Sequence, residues 1–227
     1  MSSKNISVII PAAGMGRRMK SYGPKPLIKI GNSTVINNQV NLLKTYLTNP
    51  SIVLVCGFRS DILMNETPHD LLKVENEQYE QTNVVRSIGM GLRVIGNCSK
   101  LMVVYGDLVF NAITIKSAEF KESSIIVTET GMGDNEVGCV IDDDGYLTNL
   151  MYDLPMKWGQ IATFMNEELK LFKQFCWDEK NHTKFGFEVI NQIINKGGKF
   201  KCIQNKKIKI VDIDSSKDIQ KAKEILL

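Results

Sequence analysis

Short apolar runs recur along the chain at intervals that suit an alternation of strands and helices. Residues 7–10 form a β-branched run, which is typical of a strand buried on both faces. Residues 52–56, 101–105 and 124–128 show the same continuous apolar pattern. The pattern therefore predicts buried parallel strands through the first half of the chain.

Helical spacing of apolar residues lies between these runs. One apolar stripe is made of Ile36, Val40, Leu43 and Leu47. Ser33 stands ahead of this stripe and is a favourable residue for the helix N-cap. Residues 82–95 predict a second helix, although Gly89 and Gly91 weaken it.

The second half of the chain is harder to interpret. Residues 138–147 indicate two short strands joined by a turn at Asp144 and Gly145. Residues 208–213 predict a last strand, and the closing helix is expected to start at Ser215, with Asp218 completing a capping box. We expect an α/β layer fold built as a single domain over residues 1–227.

Composition narrows the functional class only a little. A net charge of +3 is modest, so nothing demands a nucleic acid partner. No apolar run approaches the length of a membrane span, and the first residues do not form a signal peptide. The five cysteines are scattered and never spaced as zinc ligands, which indicates reduced thiols in a cytoplasmic protein. The isolated His69 and His182 make a histidine-based metal site or triad improbable.

The first predicted strand runs into a loop of small residues that suits a phosphate group. Gly14 and Gly16 leave the backbone bare, so that a phosphate can approach its N–H groups. Arg17 and Arg18 add cations that can contact phosphate oxygens, and Lys25 is held on a stiff backbone between two prolines. Packing alone does not explain three cations at this spacing, so the segment is interpreted as a triphosphate site.

Two better-known phosphate loops do not fit this segment. The P-loop needs a lysine directly after its last glycine, followed by serine or threonine, and neither is present. The dinucleotide fingerprint needs a third glycine where Met19 stands, and the strand at residues 52–56 lacks an acidic residue at its end.

Residues 11–19, followed by the Pro-Lys-Pro-Leu stretch at residues 24–27, resemble the opening motif of the nucleotidyltransferases that act on sugar phosphates and alcohol phosphates. Asp107 after the strand at residues 101–105 is similar to the central metal aspartate of that family, and Asp212 before the last helix to its second acidic position. The resemblance covers nearly the whole chain. It implies a Rossmann-like three-layer sandwich of the GT-A type with a mainly parallel central sheet.

The resemblance also implies roles for individual residues. The nucleotide-binding candidates are Ala12, Ala13, Gly14, Met15, Gly16, Arg17, Arg18 and Lys25. Arg17 and Lys25 are the catalytic candidates, because fixed cations must meet the charge that develops on the leaving pyrophosphate. The chain ends at the last helix that the family leads one to expect, so a minimal catalytic unit is predicted.

Mg²⁺ is the expected cofactor, since it prefers hard oxygen ligands and needs few from the protein. Asp107 follows a central strand, where α/β sheets bind ligands. Asp212 and Asp214 are two residues apart on a strand and so share a face, and either could be the second ligand. The resemblance favours Asp212, with Asp214 as the alternative.

Residues 80–88 resemble the segment that contacts the base in the cytidylyltransferase branch, most like the enzymes of phosphocholine and inositol phosphate. Asn83 and Ser87 are one helical turn apart and so share a face. This makes CTP the first choice of nucleotide. A helix cap by Thr82 or Asn83 explains the same residues equally well.

The acceptor is expected to be a small phosphorylated alcohol, amino alcohol or sugar. Residues 153–188 hold both tryptophans and are interpreted as the wall of the acceptor pocket, with Trp158 and Glu188 as weak candidates for contacts. The lysine-rich stretch at residues 196–209 indicates a solvated face rather than a nucleic-acid site. The oligomeric state stays open, a homodimer included.

Two functions from other classes stay open. A GT-A glycosyltransferase would use the acidic run at residues 142–144 to hold the metal of a nucleotide sugar, but the Asp-Gly pair favours a solvated turn. A non-catalytic nucleotide-binding regulator would not need Lys25, Asp107 and Asp212 together.

Overall fold

The structure, a computed structural model, describes residues 6–16, 23–118, 120–129 and 136–226. Arg17 and Arg18 lie outside these ranges. The strands are β1 Ser7–Pro11, β2 Lys29–Ile30, β3 Ser33–Thr34, β4 Ser51–Cys56, β5 Leu72–Glu75, β6 Lys100–Val104, β7 Leu108–Phe110, β8 Ser124–Thr128, β9 Val137–Ile141, β10 Leu147–Tyr152, β11 Met156–Met165, β12 Lys201–Gln204 and β13 Ile210–Asp212. The helices are α1 Val35–Tyr46, α2 Ser60–Asn65, α3 Val84–Ile95, α4 Ala112–Ser117, α5 Asn166–Trp177, α6 Gly186–Ile194 and α7 Ser216–Leu226, with short 3-10 helices at Lys25–Leu27 and Glu179–Asn181.

A mainly parallel sheet forms the centre of the molecule. Strands β5, β4, β1 and β6 lie side by side in that order and are all parallel. The sheet continues through β11, which is antiparallel to β6, and then through β9 and β10. Strand β8 pairs with β11 and carries β12 beside it. The start of β11 therefore lies at the same edge of the sheet as the carboxyl ends of the parallel strands.

Helices cover both faces of this sheet, which gives three layers. The alternation of side chains along β1 shows the division: Ile9 packs into the core on the side of α3, α5 and α6. Val8 and Ile10 pack on the opposite side, against α1 and α4. Both faces of β1 are fully buried, which is why its sequence is a continuous apolar run.

A small two-stranded ribbon lies beside the main sheet. Strand β13 near the end of the chain pairs antiparallel with β7, which follows directly after β6. The backbone N–H of Ile213 donates to the carbonyl of Asp107 over 3.0 Å. This ribbon brings the end of the chain to the central strand.

The strands predicted in the first half of the chain are confirmed, with differences of one residue in the bounds of β1, β4 and β6. The N-cap of α1 was placed wrongly, because Thr34 rather than Ser33 accepts from the backbone N–H of Asn37. Ser33 belongs to the short strand β3. The helix predicted at residues 82–95 is α3. It begins at Val84 rather than at residue 82, since Asn83 is its N-cap.

The second half of the chain contains elements that its pattern did not predict. Strand β11 runs for 10 residues, and α5 follows it directly. Strand β12 lies in the lysine-rich stretch. The hairpin of β9 and β10 and the helix α7 are confirmed, although α7 begins at Ser216.

All five cysteines are free, and four of them are buried. Burial raises the pKa of the Cys56 thiol to about 12 and that of Cys139 to about 11. No helix in the described ranges has the length and apolar character that crossing a bilayer requires.

Candidate active site

A cleft of about 940 Å³ lies at the edge of the sheet where the parallel strands end. Its floor begins with the loop after β1 and continues with Gly106 and Asp107 after β6. The start of β11, with Lys157 and Trp158, forms the opposite side. Ligands of open α/β sheets bind at this edge.

The loop after β1 is fixed against the end of β4 and the segment that follows it. Ala12 donates its backbone N–H to Val55 over 2.8 Å, and the Ala13 carbonyl accepts from Phe58 over 3.1 Å. A Cβ atom at Gly57 would come within 2.7 Å of the Ala13 carbonyl oxygen, so the loop can pack this closely only against glycine. The bare backbone of Gly14 remains exposed.

Lys25 reaches from the end of this loop to two carboxylates. Its ammonium donates to Asp214 over 2.5 Å and to Asp107 over 3.1 Å. Gly16, at a φ of +54°, lies so close that a Cβ atom there would meet the Lys25 Cγ at 3.0 Å. We call Lys25, Asp107 and Asp214 the Lys25 cluster.

A second lysine bridges two further carboxylates across the cleft. The ammonium of Lys157 lies 2.7 Å from both Glu136 and Asp212. Its side chain is only 2% exposed. Gln160 donates to the other carboxylate oxygen of Asp212 over 3.3 Å. We call Lys157, Glu136 and Asp212 the Lys157 cluster.

The charges of these clusters act on one another. Burial would lower the pKa of Lys25, but Asp107 and Asp214 outweigh burial and raise it. The pKa of Lys157 is raised in the same way by Asp212 and Glu136. Burial raises the pKa of Asp107, and the negative charges of Asp212 and Asp214 raise it further against the opposing charge of Lys25. The three aspartates therefore form one electrostatic unit.

The ribbon of β7 and β13 explains how these acids meet. Asp212 pairs with Leu108, the residue after Asp107, so residues more than 100 positions apart become neighbours. Asp214 follows two residues later and faces Lys25. Asp218 accepts from the backbone and the hydroxyl of Ser215 at the start of α7, which fixes the chain just after Asp214.

A polar network lines the cleft beside α3. Asn76, at the end of β5, donates its side-chain amide to Ser87 over 3.1 Å and to Thr82 over 3.2 Å. The Asn83 side chain accepts from Val84 as the helix cap. Asn83 and Ser87 both line the cleft, so the cap and a ligand contact are compatible.

Three aromatic rings line the other end of the cleft. The rings of Tyr152 and Phe187 are nearly perpendicular, at 79°, with centroids 5.5 Å apart. Phe185 stacks on Phe187 at 5.8 Å. Tyr152 and Phe185 are 40% and 47% exposed, which is high for such large apolar rings that line a cleft. We call these three residues the aromatic corner.

The structure brings most of the candidates from the sequence together. The cleft is lined by Ala12, Ala13, Gly14, Gly16, Lys25, Asn83, Ser87, Asp107, Trp158, Asp212 and Asp214. Met15 is not among the lining residues, and Arg17 and Arg18 lie outside the described residues. Glu188 is not among the lining residues, and its carboxylate accepts from the Phe185 N–H at the start of α6, so its contact with the acceptor stays a prediction.

The acidic run at residues 142–144 is an exposed turn away from the cleft. The carboxylate of Asp142 accepts from the backbone of Tyr146 over 2.7 Å, and the Asp144 carbonyl accepts from Lys201. These contacts hold the tip of the hairpin between β9 and β10. The turn interpretation is confirmed.

Reasoning from the sequence missed Lys157, Glu136 and Asn76. A single lysine inside an apolar strand was the one available signal for Lys157, and its partners lie 21 and 55 residues away. Within the described residues, no group of three or more His, Cys, Asp or Glu side chains has the arrangement of a metal site. Each of the three aspartates is instead paired with a lysine.

Part of the chain matches the model of a known protein family. Residues 8–133 match the MobA-like NTP transferase domain, which is more than half of the chain. The bifunctional protein GlmU of Thermosipho melanesiensis is 27% identical over 138 residues, covering 59% of this chain and 29% of the relative. GlmU of Buchnera aphidicola subsp. Schizaphis graminum is 25% identical over 237 residues, covering 96% of this chain and 48% of the relative. The chain thus spans less than half the length of these curated relatives.

Solved structures match over nearly the full chain. The CTP:phosphocholine cytidylyltransferase of Streptococcus pneumoniae superposes with a TM-score of 0.76 at 20% identity, covering 98% of this chain and 100% of that one. The inositol-1-phosphate CTP transferase of T. maritima superposes with a TM-score of 0.78 at 16% identity, covering 99% of this chain and 98% of that one. At such identities the likeness shows the fold alone, and the expected Rossmann-like fold is confirmed.

Proposed function

Because this chain belongs to the MobA-like NTP transferase family, we propose that it transfers a nucleoside monophosphate from an NTP to a small phosphorylated acceptor. An oxygen of the acceptor phosphate attacks the α-phosphorus. The bond from that phosphorus to the bridging oxygen of pyrophosphate breaks, and pyrophosphate leaves. The observation that carries the proposal is the Lys25 cluster, which joins the glycine loop after β1 to Asp107 and Asp214.

The triphosphate would lie over the loop after β1. The exposed backbone of Gly14 and the nearby ammonium of Lys25 suit phosphate oxygens, since this type of catalysis is mostly positioning and electrostatics. Lys25 would meet the charge that develops on the leaving pyrophosphate. Arg17 and Arg18 follow this loop in the sequence and remain predicted contacts.

Mg²⁺ fits the donor set of the cleft. Carboxylate oxygens are its preferred ligands, and one or two from the protein are enough when substrate phosphates supply the rest. Asp107 and Asp212 would hold the ion, since Asp212 pairs with Leu108, the residue next to Asp107. Asp214 is the alternative. When bound, the ion would neutralise charge on the reacting phosphates.

The acceptor would occupy the end of the cleft beyond the acids. Lys157 lies on this side, because its partner Glu136 directly precedes Val137, which pairs with Tyr152. Its pairing with Glu136 and Asp212 raises its pKa and so keeps it charged. Its ammonium suits the acceptor phosphate. Trp158 lines the same cleft, and its indole N–H is buried without a hydrogen-bond partner among the described residues. Its contact with the acceptor stays a prediction.

The aromatic corner favours an amino alcohol phosphate over a sugar phosphate. Ring faces attract a cationic head group, and exposed rings at nearly right angles offer two contact surfaces. A sugar would need several polar partners, which the corner does not offer apart from the Tyr152 hydroxyl. The neighbouring cytidylyltransferase of phosphocholine has the same fold, which is consistent with this choice.

CTP is the favoured nucleotide. Asn83 and Ser87 line the cleft beside the loop, and two of the structural neighbours are CTP-dependent by name. A UDP-glucose pyrophosphorylase of the same fold leaves UTP as the main competitor.

The test is a pyrophosphate-release assay with each of the four NTPs, Mg²⁺ and a panel of acceptors. The panel holds phosphocholine, phosphoethanolamine, inositol 1-phosphate and glucose 1-phosphate. We expect release with CTP and an amino alcohol phosphate. Absence of release for every pair, together with binding of nucleotide sugars, would contradict the proposal in favour of a glycosyltransferase.

A further inference from the structure

Asn76 is the centre of a buried polar network beside the cleft. Its side chain is 1% exposed and lies at the end of β5, facing α3. Its carbonyl oxygen accepts from the backbone N–H of Gln78 over 3.1 Å. A backbone N–H can only donate, so this contact fixes the orientation of the Asn76 amide.

The amide NH₂ of Asn76 must therefore face the two hydroxyls. One N–H reaches Thr82 and the other Ser87. The Thr82 hydroxyl donates its own hydrogen to the Gln78 carbonyl over 2.6 Å. Both amide hydrogens of Asn76 and the hydroxyl hydrogen of Thr82 are thus committed within the network.

Ser87 is the member of this network with a hydrogen left to give. Its hydroxyl accepts from Asn76, and no described residue accepts from it in turn. Ser87 is 3% exposed, on the first turns of α3, and lines the cleft. Its hydrogen is therefore directed to whatever ligand occupies the cleft.

We propose that Asn76 is a positioning residue for base selection, because it makes the Ser87 hydroxyl a donor toward position 3 of a pyrimidine. The proposal rests on the nucleotidyl transfer proposed above and specifies how its base is chosen. Cytosine presents an unprotonated N3 that accepts a hydrogen bond, whereas uracil presents an N3–H that donates. Ser87 could accept from that N–H only through its second lone pair, and its own hydrogen would then have no acceptor among the described residues, which costs binding.

The polarity of Ser87 can be inverted by one isosteric change. In Asn76→Asp, a carboxylate replaces the amide and can only accept, so the Ser87 hydroxyl turns to donate to it. The lone pairs of Ser87 then face the base and suit the N3–H of uracil. We expect the wild-type protein to prefer CTP to UTP by about tenfold or more, and Asn76→Asp to reverse the order.

Direct binding of each nucleotide to the full chain gives the cleanest measurement. Isothermal titration calorimetry with CTP and with UTP needs no acceptor and no turnover. A reversal of the ratio cannot arise from a general loosening of the fold, which would weaken both nucleotides alike. An unchanged preference for CTP in a folded Asn76→Asp variant would overturn the proposal.

Ser87→Ala keeps the proposal testable if a buried carboxylate prevents folding. It removes the donor without adding a charge, so the ratio of CTP to UTP affinity should fall toward one. Ser117→Ala, on α4 and outside the residues that line the cleft, is the matched control and should leave the ratio unchanged. A Ser87→Ala protein that still prefers CTP as strongly as the wild type does would refute the role of Ser87.

The two proposals fail in distinguishable ways. Binding of CTP over UTP without pyrophosphate release for any acceptor would contradict nucleotidyl transfer and leave base selection supported. Pyrophosphate release with UTP or a purine nucleotide as the best substrate would support transfer and contradict base selection. Binding of no nucleotide would contradict both.

Discussion

Two lysines in one cleft each bridge two carboxylates, yet their surroundings differ. Lys25 stands in a proline-flanked 3-10 turn, and its partners Asp107 and Asp214 are 28% and 31% exposed. Lys157 lies within β11, and its partners Glu136 and Asp212 are 19% and 12% exposed. Both clusters line the cleft, but the carboxylates of the Lys25 cluster are more exposed than those of the Lys157 cluster.

Because of this difference in exposure, the two lysines are expected to affect different properties of the protein. A buried ion pair is costly to break, because the remaining partner is left uncompensated away from water. A cluster that is open to the cleft can instead exchange a carboxylate for a ligand's phosphate. We therefore expect Lys157 to carry more of the fold's stability and Lys25 more of the turnover.

The largest effect is expected from Lys157→Met. Glu136 and Asp212 would lose their buried cation, so the free energy of unfolding should fall by about 3–5 kcal/mol. Urea denaturation followed by circular dichroism measures this. Lys170→Met is the matched control: the Lys170–Glu167 pair is exposed, and its loss should cost less than about 1 kcal/mol. Equal losses in both variants would remove the contrast between the clusters.

Lys25→Met should act chiefly on the reaction. Loss of a cation that meets developing charge lowers kcat by about 10²–10³-fold, with a smaller loss of stability than in Lys157→Met. Steady-state kinetics of pyrophosphate release checks the first part, and urea denaturation the second. Lys44→Met, which removes an exposed partner of Asp70, controls for the loss of a lysine. Near-normal turnover in Lys25→Met would exclude Lys25 from the mechanism.

Asp212, the last residue of β13, belongs to the Lys157 cluster, whereas Asp214, two residues later, belongs to the Lys25 cluster. Asp212→Asn should weaken binding of Mn²⁺, as a probe for Mg²⁺, by at least about tenfold. Asp214→Asn should leave that affinity closer to the wild type, because the proposed ion lies between Asp107 and Asp212. Electron paramagnetic resonance of free Mn²⁺ gives the affinity without turnover. The opposite order would make Asp214 the metal ligand.

The smallest effect concerns the aromatic corner on the Lys157 side. Phe185→Leu keeps an apolar side chain but removes a ring face, so kcat/KM for phosphocholine should fall about two- to thirtyfold. For 3,3-dimethylbutyl phosphate, its uncharged carbon isostere, kcat/KM should change little. Tyr46→Leu replaces a ring of similar exposure outside the cleft and is the control. Equal losses for both acceptors would point to packing rather than to a cation.

The Lys25 cluster was visible in the sequence because its cation belongs to a compact motif. Lys25 lies nine residues after Gly16. The glycines and the lysine are therefore close enough in sequence to be interpreted together as a phosphate site. Asp107 and Asp212 came from their positions at strand ends and from the family resemblance. What the sequence could not supply was the pairing of β7 with β13, which brings Asp212 and Asp214 to Asp107.

The Lys157 cluster was not predictable for the opposite reason. Lys157 is a single charge in an irregular apolar stretch, and Glu136 precedes a different strand. Only the antiparallel pairing of β11 with β9 and β6 places them together. Asn76 escaped notice for the same reason, because its role depends on the packing of β5 against α3.

In the proposed reaction, an acceptor phosphate oxygen attacks the α-phosphorus beside the Lys25 cluster. Phosphocholine labelled with ¹⁸O in its phosphate, incubated with CTP, Mg²⁺ and the full chain, tests it by ³¹P NMR and mass spectrometry. We expect a CDP-linked product with ¹⁸O in the phosphorus bridge and unlabelled pyrophosphate, and we expect Lys25→Met to form both about 10²–10³-fold more slowly. Product formation without ¹⁸O in the bridge, or undiminished formation by Lys25→Met, would contradict it.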